Sequence, residues 1–178
     1  NDILHRAISK GIYNVENVSE TISPSMDIQI ASNFERLIYD LKDHNDKKTI
    51  KVMKSIKEKG RYEIDKESLD KINIDFLSSS MDESEVLNTI KSVYEKFNIV
   101  LDPHSAIGYG AFDKVNLKGN NVVLATAHPC KFPDAIKKAI NLKPQLPREL
   151  AFVLDEKENY DIIENNLNKI KKYIKERI

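Results

Sequence analysis

The sequence predicts an α/β fold with a mainly parallel sheet and flanking helices, and three observations carry that expectation. Amphipathic stretches at helical spacing recur along the chain, most regularly over residues 83–97, where Val86, Leu87, Ile90, Val93, Tyr94 and Phe97 share one face. Short apolar runs without alternation lie between such stretches, as at Ile99-Val100-Leu101 and Val122 to Ala125, the pattern of strands buried on both faces. The two kinds of segment alternate, which is how helices cover a parallel sheet. Few strands are legible, and the first falls almost at the start of the chain. The sheet is therefore expected to be incomplete, with an N-terminal part missing.

The remaining elements follow from local signals. Asn1 can cap a short helix over 2–10, with Ile3, Leu4, Ala7 and Ile8 on one face and Gly11 as its stop. Residues 12–27 read as a short strand and a loop. Ser32 with Glu35 reads as a capping box, followed by Phe34, Leu37, Ile38 and Leu41 at helical spacing. A helix from about Asp46 to Lys59 has a narrow apolar face (Ile50, Val52, Met53, Ile56) and ends at Gly60. Residues 46–72 are accordingly expected to be a helical surface insertion outside the sheet core. Residues 66–72 suggest a further helix and Ile74 to Leu77 a strand. Asp102 followed by Pro103 suits a helix start, cap then first turn. Residues 133–140 read as helix after Phe132-Pro133. Residues 142–178 read as a connector punctuated by Pro144 and Pro147, then a helix over about 159–177 burying Ile162, Ile163, Leu167, Ile170 and Ile174.

Composition narrows the function classes. The 178 residues are 31% charged and 40% hydrophobic, and Lys+Arg and Asp+Glu both number 28, so the formal net charge is zero. No basic excess favours nucleic acid or an anionic membrane as a partner. The pairs Lys47-Lys48 and Lys171-Lys172 are interleaved with acids and apolar residues, as on solvated helix faces. One cysteine, Cys130, excludes an internal disulfide framework and suits a reducing, cytoplasmic setting. No apolar run approaches the ~18 residues of a membrane span. The start, Asn1-Asp2-Ile3-Leu4, carries neither signal-peptide pattern nor initiator Met, which suggests a chain beginning inside a longer protein.

Ligands of open α/β sheets bind beyond the carboxyl ends of strands. Two segments place a hydroxyl and an imidazole at such ends. One is Leu101-Asp102-Pro103-His104-Ser105-Ala106-Ile107-Gly108, and the other is Leu124-Ala125-Thr126-Ala127-His128-Pro129-Cys130-Lys131-Phe132. A plain structural reading competes for each: Asp102 as a cap, Ser105 as a first-turn residue, His128 as a histidine bonded to backbone. Gly108 and Gly110, inside the helix expected there, suggest close packing. A third segment joins Ser23-Pro24-Ser25-Met26-Asp27-Ile28 to Ser32-Asn33-Phe34-Glu35-Arg36-Leu37. His5, His44, His104 and His128 are scattered without ligand spacing and no CxxC is present, so no metal site is expected. Neither GxGxxG nor GxxxxGK[ST] occurs.

Taken together and in order, these three segments resemble the longer-chain threonine synthases. The first peptide pair resembles a signature of that family. Asp102 to Gly108 is similar to its Asp-Pro-His-Thr-Ala-Val-Gly, and Thr126 to Phe132 to its Thr-Ala-His-Pro-Ala-Lys-Phe. The resemblance covers about residues 1–140, and the last 35 or so add no motif. Ser105, Ile107 and Cys130 stand where the family has Thr, Val and Ala. The first exchange keeps a hydroxyl, the second keeps branching, and the third adds a thiol.

The resemblance implies part of a fold-type II pyridoxal-phosphate domain (tryptophan synthase beta-like). The implied reaction converts O-phospho-L-homoserine and water to L-threonine and phosphate. In that family the Schiff-base lysine and the Gly/Asn-rich phosphate loop lie upstream of the matched region. Neither motif appears here, so the isolated chain is expected to be inactive, with the N-terminal part of the same enzyme as its partner. Fold-type II enzymes commonly set a Ser or Thr hydroxyl against the cofactor's pyridine nitrogen, and Thr126 matches that position. Asp102 and Ser105 are implied to line the cofactor site and His128 to order its loop. His104 belongs with them or with the substrate side. Asn33 and Arg36 either reach the substrate or brace the loop that holds Ser25 and Asp27. A different fold-type II lyase, such as a threonine dehydratase, and a non-catalytic domain reusing the fold are the competing readings.

Overall fold

The computed structural model describes residues 1–178 apart from Asn116, with Leu154 described in its backbone alone. The chain divides into two compact units, Asn1–Pro144 and Gln145–Ile178.

The larger unit contains two apolar clusters. The first gathers around α1 (Ile3–Lys10) and β1 (Ile12–Asn14). Ile3 and Ala7, one turn apart, are the buried positions of α1. The helix stops at Gly11, which adopts φ 68° and donates its N–H to the Ala7 carbonyl. A side chain there would be strained, and its Cβ would stand 3.1 Å from Leu69. Next come α2 (Phe34–Leu41) and α3 (Asp46–Lys59), which add Phe34, Ile38, Val52 and Ile56 to the cluster, while Ile50 is exposed. β2 (Arg61–Glu63) then pairs antiparallel with β1, Tyr13 opposite Tyr62. α4 (Lys66–Asp75) adds Ile72.

The second cluster lies among α5 (Glu83–Phe97), α6 (Pro103–Val115) and α7 (Pro133–Ile140), through Val86, Ile90, Ala106 and Ile136. Gly110 lets α6 approach closely: a Cβ there would collide with the end of the Met81 side chain and lie 3.0 Å from Thr89 Oγ1. α5 starts on a reciprocal capping box between Asp82 and Glu85 and stops at Asn98 in the left-handed region.

Several expectations are corrected. Among the described residues no parallel sheet forms, and the sheet is the antiparallel pair β1–β2. Ile99-Val100-Leu101 and Val122–Ala125 are neither strand nor helix. A strand exists only beside a neighbour that takes its backbone groups. Among the described residues none does so for 122–125, and Val122 and Leu124 are 87% and 74% exposed. The proposed strand at Ile74–Leu77 is instead the end of α4, with Phe76 as its C-cap. The capping box at Ser32 does not form: α2 begins at Phe34 with Asn33 as its N-cap, and no side chain caps it. A main-chain turn from Phe34 N–H to the Ala31 carbonyl, 3.0 Å, opens α2.

The smaller unit contains a 3₁₀ segment, Arg148–Leu154, and α8 (Leu167–Lys175). This last helix is shorter than the apolar period suggests. Asn166 caps it by accepting the N–H groups of Asn168 and Lys169, so Ile162 and Ile163 precede the helix. Ile162, Ile163, Leu167 and Ile174 are exposed rather than buried, and Ile170 is half-buried. Among the described residues no helix is long and apolar enough to cross a membrane.

Candidate functional site

Asp102 immediately precedes α6 and Pro103 opens it, as the Asp-Pro pair predicts. The Asp102 residue is 1% exposed. Its Oδ1 accepts the main-chain N–H groups of His104 at 2.9 Å and Ser105 at 3.4 Å, and its Oδ2 accepts the Ser105 hydroxyl. A carboxylate this deeply buried is tolerated when its lone pairs meet donors, and the positive end of the helix favours it further.

His104 is bonded through both ring nitrogens. Nδ1 lies 3.0 Å from Asp102 Oδ1, and Nε2 lies 3.2 Å from the main-chain nitrogen of Ser25. An N–H can only donate, so Nε2 is the bare nitrogen and Nδ1 carries the proton that Asp102 accepts. Phe132 covers the imidazole, with ring centroids 4.8 Å apart. Phe132 is not among the residues that the sequence singles out; its only signal is its place at the end of the peptide that carries Thr126.

Thr126 joins the same group. Its main-chain N–H donates to Ser105 Oγ at 2.9 Å, and its own Oγ1 lies 3.4 Å from that oxygen. The Ser105 proton is committed to Asp102, because a carboxylate can only accept. Thr126 is exposed on the wall of an open groove of about 380 Å³, shared with His104, Gly108, Val122 and Leu124. Its hydroxyl therefore remains available to a ligand in the groove.

The other site residues separate into two groups. His128 is exposed and accepts the Cys130 main-chain N–H at Nδ1, 3.2 Å, which opens the 3₁₀ turn Pro129–Lys131 leading to Phe132. Asp27 ties its loop together by accepting the Thr21 N–H at 2.8 Å, the Thr21 hydroxyl at 2.7 Å and the Asn1 amide at 2.7 Å. Ser25 meets His104 through its backbone. Asn33 and Arg36 lie on a different groove, beside Ser32, Tyr39 and Asp40. The structure thus unites Thr126, Ser105, Asp102, His104 and the Ser25 loop, and places Asn33 and Arg36 on another groove.

The donor set suits a neutral heteroaromatic nitrogen in the Thr126 groove. One hydroxyl on a partly apolar wall can bond such an atom, and the nearby carboxylate is already saturated by donors of this chain.

A family model described as threonine synthase, C-terminal, matches residues 105–174, which includes most of the stretch without a legible motif. Threonine synthase from Pseudomonas aeruginosa is 36% identical over 98% of this chain and 38% of its own length. Threonine synthase from Saccharomyces cerevisiae is 33% identical over all of this chain and 40% of its own. Among solved structures, a threonine synthase from Brucella melitensis with PLP bound superposes with a TM-score of 0.83 at 38% identity, over 98% of this chain and 38% of that one. The chain spans about two-fifths of the length of the relatives it matches.

Proposed function

We propose that the chain, which is similar to threonine synthases over nearly all of its length and to the family's C-terminal model over residues 105–174, supplies the C-terminal part of a pyridoxal-phosphate active site. The reaction is the conversion of O-phospho-L-homoserine and water to L-threonine and phosphate. The observation that carries this reading is Thr126, anchored through its N–H to Ser105 with its hydroxyl on the groove wall.

Pyridoxal phosphate, when bound, supplies a sink for the electrons released as bonds next to the amino carbon break. Thr126 Oγ1 would hold the ring nitrogen of the bound cofactor with a neutral hydrogen bond. A hydroxyl does not hold that nitrogen protonated as a carboxylate would, so the sink is moderated. Ser105 and Asp102 keep Thr126 in place from behind. His128 orders the turn that carries Phe132 to His104. Ser25, Asp27 and His104 form the wall on the loop side, and Asn33 and Arg36 serve as substrate contacts or as braces for that loop.

Residues 1–178 form the C-terminal portion of the catalytic region. Residues 46–72 are a helical surface insertion whose inner face joins the first cluster, and 142–178 are a connector and helix, in keeping with the division after Pro144. The Schiff-base lysine comes from outside the matched residues, the rest of the enzyme is the chain's partner, and the compartment is the cytoplasm.

Assaying the complete protein with phosphohomoserine and cofactor tests this. Threonine and phosphate in equal amounts are expected. Release of 2-oxobutanoate would establish a dehydratase-like lyase instead, and absence of cofactor absorbance a non-catalytic domain. The purified 178-residue chain should release no phosphate above the blank.

A further inference from the structure

Asp102 connects two parts of the site that are distant in sequence. On one side His104 reaches Ser25, 79 residues away; on the other Ser105 reaches Thr126, 21 residues away. We infer that His104 is a positioning residue: through Asp102 and Ser105 it holds the Ser23–Asp27 loop and Thr126 in one register, so that the two walls of the site are set together. For its catalytic consequence this inference rests on the reading of Thr126 as the contact to the cofactor ring.

The hydrogen bonds run inward from both ends. Ser25 N–H donates to His104 Nε2 at 3.2 Å, and Nδ1–H donates to Asp102 Oδ1 at 3.0 Å. From the other end, Thr126 N–H donates to Ser105 Oγ at 2.9 Å, and the Ser105 hydroxyl donates to Asp102 Oδ2. The acceptor-only carboxylate in the middle sets the direction of every link. A shift of one wall therefore pulls on a buried charge that the other wall also satisfies.

Two features distinguish this arrangement from a simple helix cap and from acid–base chemistry. A cap needs only the main-chain N–H groups of the first turn. Asp102 has those, and in addition it receives the imidazole and the Ser105 hydroxyl, whose partners lie outside α6. His104, for its part, has no ring nitrogen left for proton transfer, and its side chain is 9% exposed beneath Phe132. Its effect on the reaction must pass through the groups it holds.

The test is amide hydrogen exchange on the complete protein, first without cofactor or substrate and then with both. His104→Ala removes both links. It should speed exchange at Ser25 and also at Thr126, which it does not touch, by at least tenfold, while α1 and α3 stay protected. His104→Asn keeps a donor where Nδ1 stands and cannot reach Ser25. It should free Ser25, leave Thr126 protected, and raise KM for phosphohomoserine several-fold with kcat nearly kept. Ser105→Ala should free Thr126 and weaken cofactor binding several-fold, with Ser105→Thr restoring both. Unchanged exchange at Thr126 in a folded His104→Ala protein overturns the inference. If that variant does not fold, His104→Asn decides: equal changes, or none, at Ser25 and Thr126 overturn it. If exchange behaves as expected but Thr126→Val leaves the cofactor absorbance unmoved, the coupling stands and the cofactor role of Thr126 fails.

Discussion

Replacing Thr126 by Val keeps the branched shape and removes only the hydroxyl. The fold should barely register the change. The bond that anchors this residue is its main-chain N–H to Ser105 at 2.9 Å, which valine retains. The hydroxyl's contact inside the chain is 3.4 Å, at the weak end of hydrogen-bond geometry, and the side chain is exposed. The loss of stability should stay within about 0.5 kcal/mol. The reaction should register much more. A net hydrogen bond to the ring nitrogen contributes about 0.5–1.5 kcal/mol, and about 1.4 kcal/mol on the barrier is a factor of ten in rate. Turnover of the complete enzyme should therefore fall roughly two- to tenfold while its melting temperature holds, and Thr126→Ser should be nearly neutral. Both quantities are read on the same preparations, turnover per folded molecule and the thermal midpoint. A lower midpoint with unchanged turnover would mean that the hydroxyl serves the fold, and would refute the reasoning.

Three further outcomes concern stability of the complete protein. Tyr13 is 1% exposed, and its hydroxyl accepts the Ala31 N–H at 2.8 Å and donates to the Gln29 carbonyl at 3.3 Å. Tyr13→Phe leaves that buried N–H unpaired and should cost about 1–3 kcal/mol in urea unfolding, whereas a change below about 0.5 kcal/mol would count against the bond. Gly11→Ala forces a side chain into the left-handed region and should cost about 1–2 kcal/mol, seen as a lower melting temperature. The Lys42 ammonium, and after it the Ser68 N–H, hold the Asp65 carboxyl down at about 2. Folded-state ionisation is thus favoured, so this stability is present above the ordinary value of 3.8 and is lost as pH falls towards about 2. The side chain is 51% exposed, and solvent screening leaves about 1 kcal/mol. Asp65→Asn should flatten the decline in urea midpoint between pH 5 and pH 2; equal slopes for both proteins would count against the pair.

What was readable in advance tracks how far each interaction reaches along the chain. α3 and α5 span the residues that helical spacing and, for α3, Gly60 predict, because an α-helix closes its hydrogen bonds within four residues. The same holds for the Asp102-Pro103 start of α6. Two differences lie at helix ends, which apolar spacing alone does not place. At α8 the apolar period was readable on both sides of Asn166, but the helix begins only where that side chain caps it. At Ile74–Leu77 the expected strand gives way to the end of α4, whose preceding turns carry the helix through Asp75.

The sequence by itself determined the residue types that carry the chemistry and the helices that bear many of them: Asp102, His104 and Ser105 around the start of α6, His128 at the head of its 3₁₀ turn, and the order of the three peptides that mark the family. Tertiary structure alone decided which of them act together. That Ser25 meets His104, that Thr126 hangs from Ser105, and that Phe132 covers the imidazole depend on segments brought together from far apart in the chain. The same is true of the apolar run Val122–Ala125, whose composition asks for burial on both faces while its neighbours in space leave it exposed. A helix closes its bonds within its own segment, whereas a strand or a polar network is defined by partners whose positions no local spacing encodes.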